Sequence, residues 1–144
     1  MIKKETIGNE LLQTASKELL DRGNVHDNSK LYSPEKEEFD RLTPILKQLT
    51  FGSEEYNNSL KELNKTLEHH YYVNSHHPQH YKNGINGMNL FDIIEMFMDW
   101  KAASERTNNG DIRVSIQYNQ KRFEISEQLS QVFQNTANYL KWEK

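Results

Sequence analysis

The chain has 144 residues, a formal net charge of −3 and 35% apolar residues. We expect residues 1–144 to form a single domain, because this length leaves little room for a second one. So polar a composition favours long helices with hydrated outer faces, and the small negative charge argues against general nucleic-acid binding. Cysteine is absent, which excludes thiolate metal sites and cysteine nucleophiles.

Membrane insertion and secretion are not indicated by the sequence. No apolar run approaches the roughly 20 residues that a membrane span requires. The charged residues that open the chain are not followed by an apolar segment, so they do not form a secretory signal. We therefore expect a cytoplasmic protein without membrane partners, and the sequence leaves its oligomeric state open.

Helical periodicity predicts an all-α fold of about five to seven helices, since no segment keeps the two-residue period of a strand. The predicted helices cover approximately residues 5–21, 33–51, 53–77, 89–105, 112–123 and 126–140. We expect Gly23 to end the first helix, Ser33 to cap the second and Pro44 to interrupt it. Glu35 and its acidic neighbours favour the positive end of that second helix.

Histidines are concentrated in one short segment. One lies at position 26, and the other five are His69, His70, His76, His77 and His80. Extending the leucine stripe of residues 60–67 by helical steps brings His70, Asn74 and His77 to the inward face. His69 and His80 are then predicted at the surface, while His76 can turn either way. Burying an imidazole without a partner costs about 1–3 kcal/mol, so the pattern favours a metal or a hydrogen-bonded carboxylate beside these rings.

Three carboxylates interrupt the apolar segment 89–100. Asp92, Glu95 and Asp99 have the spacing that puts side chains on one face of a helix. The alternatives are a hydrated outer face and, for Asp92, a place in the first helical turn. A purely acidic stripe on an otherwise apolar helix favours a metal site, and Asp99 is its strongest candidate ligand.

A third motif, His26-Asp27-Asn28-Ser29-Lys30, follows the first helix. Alone the His-Asp pair is a weak signal, because Asp27 can also close a turn. The order of a His-Asp pair, spaced histidines and a helical aspartate resembles the HD-domain superfamily of metal-dependent phosphohydrolases. The HDNSK segment is similar to the HDxGK segment of HD-GYP phosphodiesterases, with serine in place of glycine. Together, HDNSK, HHYYVNSHHPQHY and EMFMDWKAA look like a small uncharacterised HD-like family of phages and Gram-positive bacteria, over about residues 20–140.

This resemblance implies a metal site. His26 and Asp27 would be its dyad, with Asp27 able to bridge two ions. The further ligands it implies are His70, His76, His77 and Asp99. Many HD-domain enzymes have a ligand histidine upstream of the dyad, but no histidine precedes position 26 here. The number of metal ions is therefore left at one or two. The GYP motif is also absent, which leaves the substrate open.

We expect a divalent transition metal (Mn, Fe, Co, Ni or Zn) to support hydrolysis of a phosphoester in a nucleotide or related small molecule. The candidate catalytic residues are Asp27, which holds metal, Lys30, which pairs with substrate phosphate, and Glu95, which orients a ligand histidine or a metal-bound water. Ser29 can donate a hydrogen bond to the substrate. Further phosphate candidates are Arg22, Lys101 and Arg106.

Other classes of protein fit the same residues. A di-iron oxygenase uses these ligand types to activate dioxygen, and a non-catalytic protein can sequester a nucleotide in such a pocket. A helical domain whose histidines pair with the acidic stripe and bind nothing is also consistent with the pattern, because buried polar groups can satisfy one another.

Overall fold

The computed structural model describes residues 2–50, 53–106 and 108–143, with side chains from residue 6 onward. These residues form six α-helices and no strand, so the all-α prediction is confirmed. The helices are α1 (Ile2–Val25), α2 (Glu35–Gln48), α3 (Glu54–Val73), α4 (Leu90–Glu105), α5 (Ile112–Arg122) and α6 (Glu127–Tyr139). Short 3-10 turns occupy Asn28–Leu31, Pro78–His80 and Gly84–Gly87.

Side-chain caps begin four of the helices where the sequence predicts them. Ser53, Asn89, Asp111 and Ser126 each accept a hydrogen bond from a backbone N–H in the first turn of the helix that follows. These bonds satisfy backbone donors that have no partner within the helix. Local sequence therefore determines where α3 to α6 begin.

Three predictions about the first two helices are wrong. α1 continues through Gly23 to Val25, and α2 is unbroken although Pro44 lies inside it. The position before α2 is Pro34 and provides no side-chain cap, so Ser33 is not the predicted N-cap. Glycine costs a helix only about 1 kcal/mol, and a proline costing about 3 kcal/mol is tolerated where tertiary packing supports the helix. α2 has such support, because it packs along α3.

α1 is the longest described helix, with 24 residues. Its apolar side chains Ile7 and Leu11 are more than half exposed. Among the helices of the described ranges, none is both long enough and apolar enough to cross a membrane.

The chain divides into two units, Met1–Ser75 and His76–Lys144. In the first unit α2 and α3 pack antiparallel, since the first turn of α2 contacts the last turn of α3. The turn Asn28–Leu31 packs against both helices, so the HDNSK segment lies beside the end of α3. The expectation of a single domain stays a prediction.

The second unit is built on an apolar core between α4, α5 and α6. Its buried members are Met96, Phe97, Ile112, Ile116, Ile125, Phe133 and Ala137. The rings of Phe97 and Phe133 stack with centroids 4.7 Å apart. This core holds α4, the helix that carries the three carboxylates of the acidic stripe.

Gly87 gives a test of the packing in the second unit. A Cβ at this position would lie 2.6 Å from Tyr81 Cβ and would also overlap Asn83 Oδ1. We therefore expect Gly87→Ala to lower the free energy of unfolding by about 1–3 kcal/mol, as overpacking does. Gly23→Ala is the control, because a Cβ there meets no atom within 4 Å and alanine should stabilise α1 by about 0.5–1 kcal/mol. Urea denaturation measures both changes, and an unchanged stability of Gly87→Ala would contradict the close packing of this loop.

Candidate metal centre

In the first unit, Asp27 lies between two imidazole rings. Asp27 precedes the turn Asn28–Leu31 with a φ of 55°, a left-handed conformation that aspartate tolerates better than most residues. Its Oδ1 is 3.3 Å from His70 Nε2, and its Oδ2 is 3.6 Å from His26 Nε2. His70 is buried in the last turn of α3. The structure thus places His26 and His70 on either side of Asp27.

In the second unit, His76 lies beside the acidic face of α4. Its Nδ1 is 2.7 Å from Glu95 Oε2, and its Nε2 is 3.8 Å from Asp99 Oδ2. The His76 side chain is almost completely buried, and the half-buried His77 lies next to it with ring centroids 4.1 Å apart. His76, His77 and Asp99 therefore form a second group of candidate ligands within one unit, and Glu95 contacts the His76 ring.

Both groups offer donor atoms suited to a metal ion. Each of these six residues carries one donor atom that could bind a metal ion, and they are His26, Asp27, His70, His76, His77 and Asp99. Imidazole nitrogen with carboxylate oxygen suits divalent ions from Mn to Zn. Two donors each about 2.1 Å from one ion lie about 3.0–3.4 Å apart in octahedral or tetrahedral geometry. The 3.3 Å between His70 Nε2 and Asp27 Oδ1 matches that spacing.

Glu35 is a site residue that sequence reasoning missed. Its fully buried carboxylate is 2.7 Å from His70 Nδ1 through Oε1 and 2.8 Å from His69 Nδ1 through Oε2. Burial alone would raise the pKa of Glu35, but hydrogen bonds from Ser29, His70 and His69 outweigh burial and hold the pKa below its ordinary value of 4.5. No periodic signal links Glu35 to the histidines, because only the antiparallel packing of α2 on α3 joins positions so far apart in the chain.

Asp92 and Glu95 differ in role although they share the acidic stripe. Asp92 forms a capping box with Asn89 and also accepts a hydrogen bond from the Tyr81 hydroxyl at 2.5 Å. Asp92 therefore serves the start of α4, which was the alternative expected from its place in the first turn. Glu95, one turn further along, contacts His76 instead.

The two other polar residues of the HDNSK segment have protein partners. Lys30 Nζ is 2.8 Å from Asp27 Oδ2. The Ser29 hydroxyl accepts a hydrogen bond from Asn74 Nδ2 at 2.8 Å and also bonds to Glu35. The Ser29 hydroxyl thus links Asn74 to Glu35, whereas the sequence predicted that it donates a hydrogen bond to the substrate.

The sequence predicted His69 at the surface, but in the structure its ring is bonded to Glu35. Its side chain is 39% exposed but bonds to Glu35, because the end of α3 packs on the start of α2. His80 is exposed, in agreement with the sequence.

Two of the three predicted phosphate-binding cations form ion pairs on their own helices. Arg22 Nε lies 2.9 Å from Glu18 Oε1, and Lys101 Nζ lies 3.0 Å from Glu105 Oε1. Arg106 is exposed at the end of α4. These positions do not place any of the three within a described ligand group.

Fold and geometry together define a helical protein with histidine and aspartate groups of metal-ligating type. Residues 5–141 match the model of a family described as "Family of unknown function (DUF5662)", so the chain belongs to that family. Searches of curated proteins and of solved structures gave no match. The family description names no activity, and the HD-domain resemblance stays a prediction.

Proposed function

We propose that this protein is a metal-dependent phosphohydrolase or phosphodiesterase that acts on a nucleotide or a related small phosphoester. The observation that carries the proposal is a buried histidine facing an aspartate in each unit. His70 Nε2 faces Asp27 at 3.3 Å, and His76 Nε2 faces Asp99 at 3.8 Å. The same combination of donor types thus occurs twice, on four different segments of the chain.

The second ring nitrogen of each of these histidines supports the assignment. A glutamate oxygen lies 2.7 Å from Nδ1 in both rings, from Glu35 for His70 and from Glu95 for His76. Histidines that bind metals usually donate their other ring N–H to a carboxylate or carbonyl, which fixes the tautomer and the ring orientation. In both rings this leaves Nε2 as the donor for a metal.

Mutual pairing of histidine and aspartate without a metal accounts less well for the distances. A hydrogen bond between nitrogen and oxygen is usually 2.7–3.2 Å long. The separations of 3.6 Å for His26–Asp27 and 3.8 Å for His76–Asp99 are longer. Two donors each about 2.1 Å from one ion reach such separations at angles of about 120–130°, which are wider than octahedral or tetrahedral angles and occur in five-coordinate sites.

In this proposal the two ligand groups hold one or two metal ions per chain. The metal is a divalent transition ion (Mn, Fe, Co, Ni or Zn). The ligands are His26, Asp27, His70, His76, His77 and Asp99. When bound, such an ion acidifies a water molecule and polarises a phosphoryl oxygen.

The chain's own residues have separate tasks in the proposed reaction. Asp27 offers both carboxylate oxygens and is the ligand able to bridge two ions. Glu95 accepts the His76 Nδ1–H and keeps that ring oriented. The Lys30 side chain is about one-third exposed and pairs with Asp27. Its ammonium group can leave Asp27 and form an ion pair with a substrate phosphate instead.

The proposal is tested on protein purified without a histidine tag. Elemental analysis should find one or two divalent transition ions per chain. Incubation with a panel of nucleotides, cyclic nucleotides, dinucleotides and sugar phosphates should hydrolyse a phosphoester bond in at least one of them, measured as released phosphate or as nucleoside monophosphate.

Three results would contradict it. If the protein holds no metal after reconstitution with each of the five ions, it is not a metal-dependent enzyme and the proposal is wrong. Bound iron with a visible-absorbing mixed-valent state, and no hydrolysis, would favour a di-iron oxygenase. Tight nucleotide binding without turnover by the metal-replete protein would favour a sequestering protein.

A further inference from the structure

We propose that Glu35 is a positioning residue that fixes the His70 ring with Nε2 available to the metal. This inference rests on the metal centre of the proposed function and adds a residue that lies outside the predicted ligand set. It assigns a role to the fully buried carboxylate of Glu35.

The geometry of Glu35 determines which His70 nitrogen is the donor. An ionised carboxylate can only accept hydrogen bonds, so the 2.7 Å contact with Oε1 requires a proton on His70 Nδ1. Nε2, the nitrogen 3.3 Å from Asp27 Oδ1, is then the ring atom that faces the other ligands. Without Glu35, rotation about the Cβ–Cγ bond would let either nitrogen face Asp27.

The surrounding network keeps Glu35 itself in place. A buried carboxylate is costly unless it is hydrogen-bonded, and Glu35 receives bonds from Ser29 and His69 as well as from His70. Asn74 Nδ2 bonds to the Ser29 hydroxyl and to the His70 carbonyl, both at 2.8 Å. Residues from the HDNSK turn, from the start of α2 and from the end of α3 thus converge on one carboxylate.

A purely structural role is the alternative, because Glu35 also joins α2 to α3. The two roles predict different properties of the bound metal. A structural residue changes the stability of the protein but leaves the ligand set unchanged once metal is saturating. A positioning residue changes the affinity for the metal and the environment of the His70 ring at saturation.

The experiment uses Co²⁺ alone as the probe of the full-length protein. Glu35→Gln should weaken Co²⁺ binding about 10-fold to 100-fold, the usual effect of removing a carboxylate behind a ligand histidine. At saturating Co²⁺ the exchangeable ring N–H proton of His70, shifted by the paramagnetic ion, should exchange faster with water. The control is Glu38→Gln, one turn along α2, where the carboxylate pairs with Arg41 at 2.7 Å, and it should bind Co²⁺ like the wild type.

The outcomes separate this inference from the proposed function. A wild-type protein that binds no Co²⁺ would overturn both. Normal Co²⁺ binding by the wild type, with unchanged affinity and N–H exchange in Glu35→Gln, would overturn the role of Glu35 alone. A lower melting temperature of Glu35→Gln, with unchanged Co²⁺ affinity, would likewise overturn the role of Glu35 alone. Should Glu35→Gln fail to fold, His69→Ala removes one support of Glu35 at a half-exposed position, and it must weaken Co²⁺ binding for the inference to stand.

Discussion

Asp27→Asn is expected to remove the bound metal and to abolish phosphoester hydrolysis. Asparagine keeps the shape of the side chain, but it replaces an anionic oxygen with an amide NH₂ that cannot bind a cation. Both oxygens of Asp27 face histidine nitrogens, so the substitution removes an anionic oxygen that lies next to His26 and His70. Elemental analysis and the phosphate-release assay measure the two losses.

Loss of metal should also appear in the stability of the protein. A ligand at a hundredfold excess over its dissociation constant stabilises the native state by about 2.7 kcal/mol. Chelator should therefore lower the melting temperature of the wild type and leave that of Asp27→Asn unchanged. Asp40→Asn is the control, because Asp40 is exposed on α2 and pairs only locally with Lys36. A chelator effect of wild-type size in Asp27→Asn would contradict the assignment of this ligand.

Asp99→Asn extends the same experiment to the second unit. If the chain holds one ion, Asp99→Asn should lose the metal completely, as Asp27→Asn does. If it holds two, Asp99→Asn should retain part of the metal. Unchanged metal content in Asp99→Asn would contradict the assignment of Asp99 as a ligand.

The sequence predicted best what depends on local contacts. The capping residues Ser53, Asn89, Asp111 and Ser126 act within four residues of themselves, so their helix starts could be predicted from the pattern. Gly23 was misjudged because a glycine costs a helix only about 1 kcal/mol, and Pro44 because the packing of α2 along α3 can outweigh a cost of about 3 kcal/mol. Such packing is not visible in a short stretch of sequence.

The difference between local and long-range contacts also explains which residues of the candidate site could be predicted. His70 lies inside α3, where helical phase applies, and its burial follows the prediction. α3 ends at Val73, so the phase could not be extended to His76 and His77. His76 is the more buried of the two, whereas phase had favoured His77. Glu35 was missed for a different reason, because its contacts with His69 and His70 span more than thirty residues.

Lys30→Gln should separate substrate binding from metal binding. Lys30 Nζ lies 2.8 Å from Asp27 Oδ2 and 5.5 Å from the centroid of the Phe39 ring, so the cation is next to the proposed ligands without being able to bind a metal itself. Removing a positive charge beside a cation site cannot weaken the electrostatic attraction for a metal, so affinity for metal should stay the same or increase. A lost charge-assisted contact with phosphate is worth about 1.5–3 kcal/mol, which corresponds to a fall of about 10-fold to 100-fold in kcat/KM.

The measurement compares metal content and kcat/KM on the best substrate of the panel for Lys30→Gln, Asp27→Asn and the control Lys36→Gln. Lys36 is an exposed lysine of α2 that pairs with Asp40, and its loss should change neither quantity. Only Lys30→Gln should keep its metal and lose turnover, because Asp27→Asn loses both. If Lys30→Gln hydrolyses the substrate as fast as the wild type, the phosphate role of Lys30 is wrong and its ammonium group serves only to hold Asp27. If it loses metal together with turnover, Lys30 supports the ligand rather than the substrate, since a missing phosphate contact cannot release an ion.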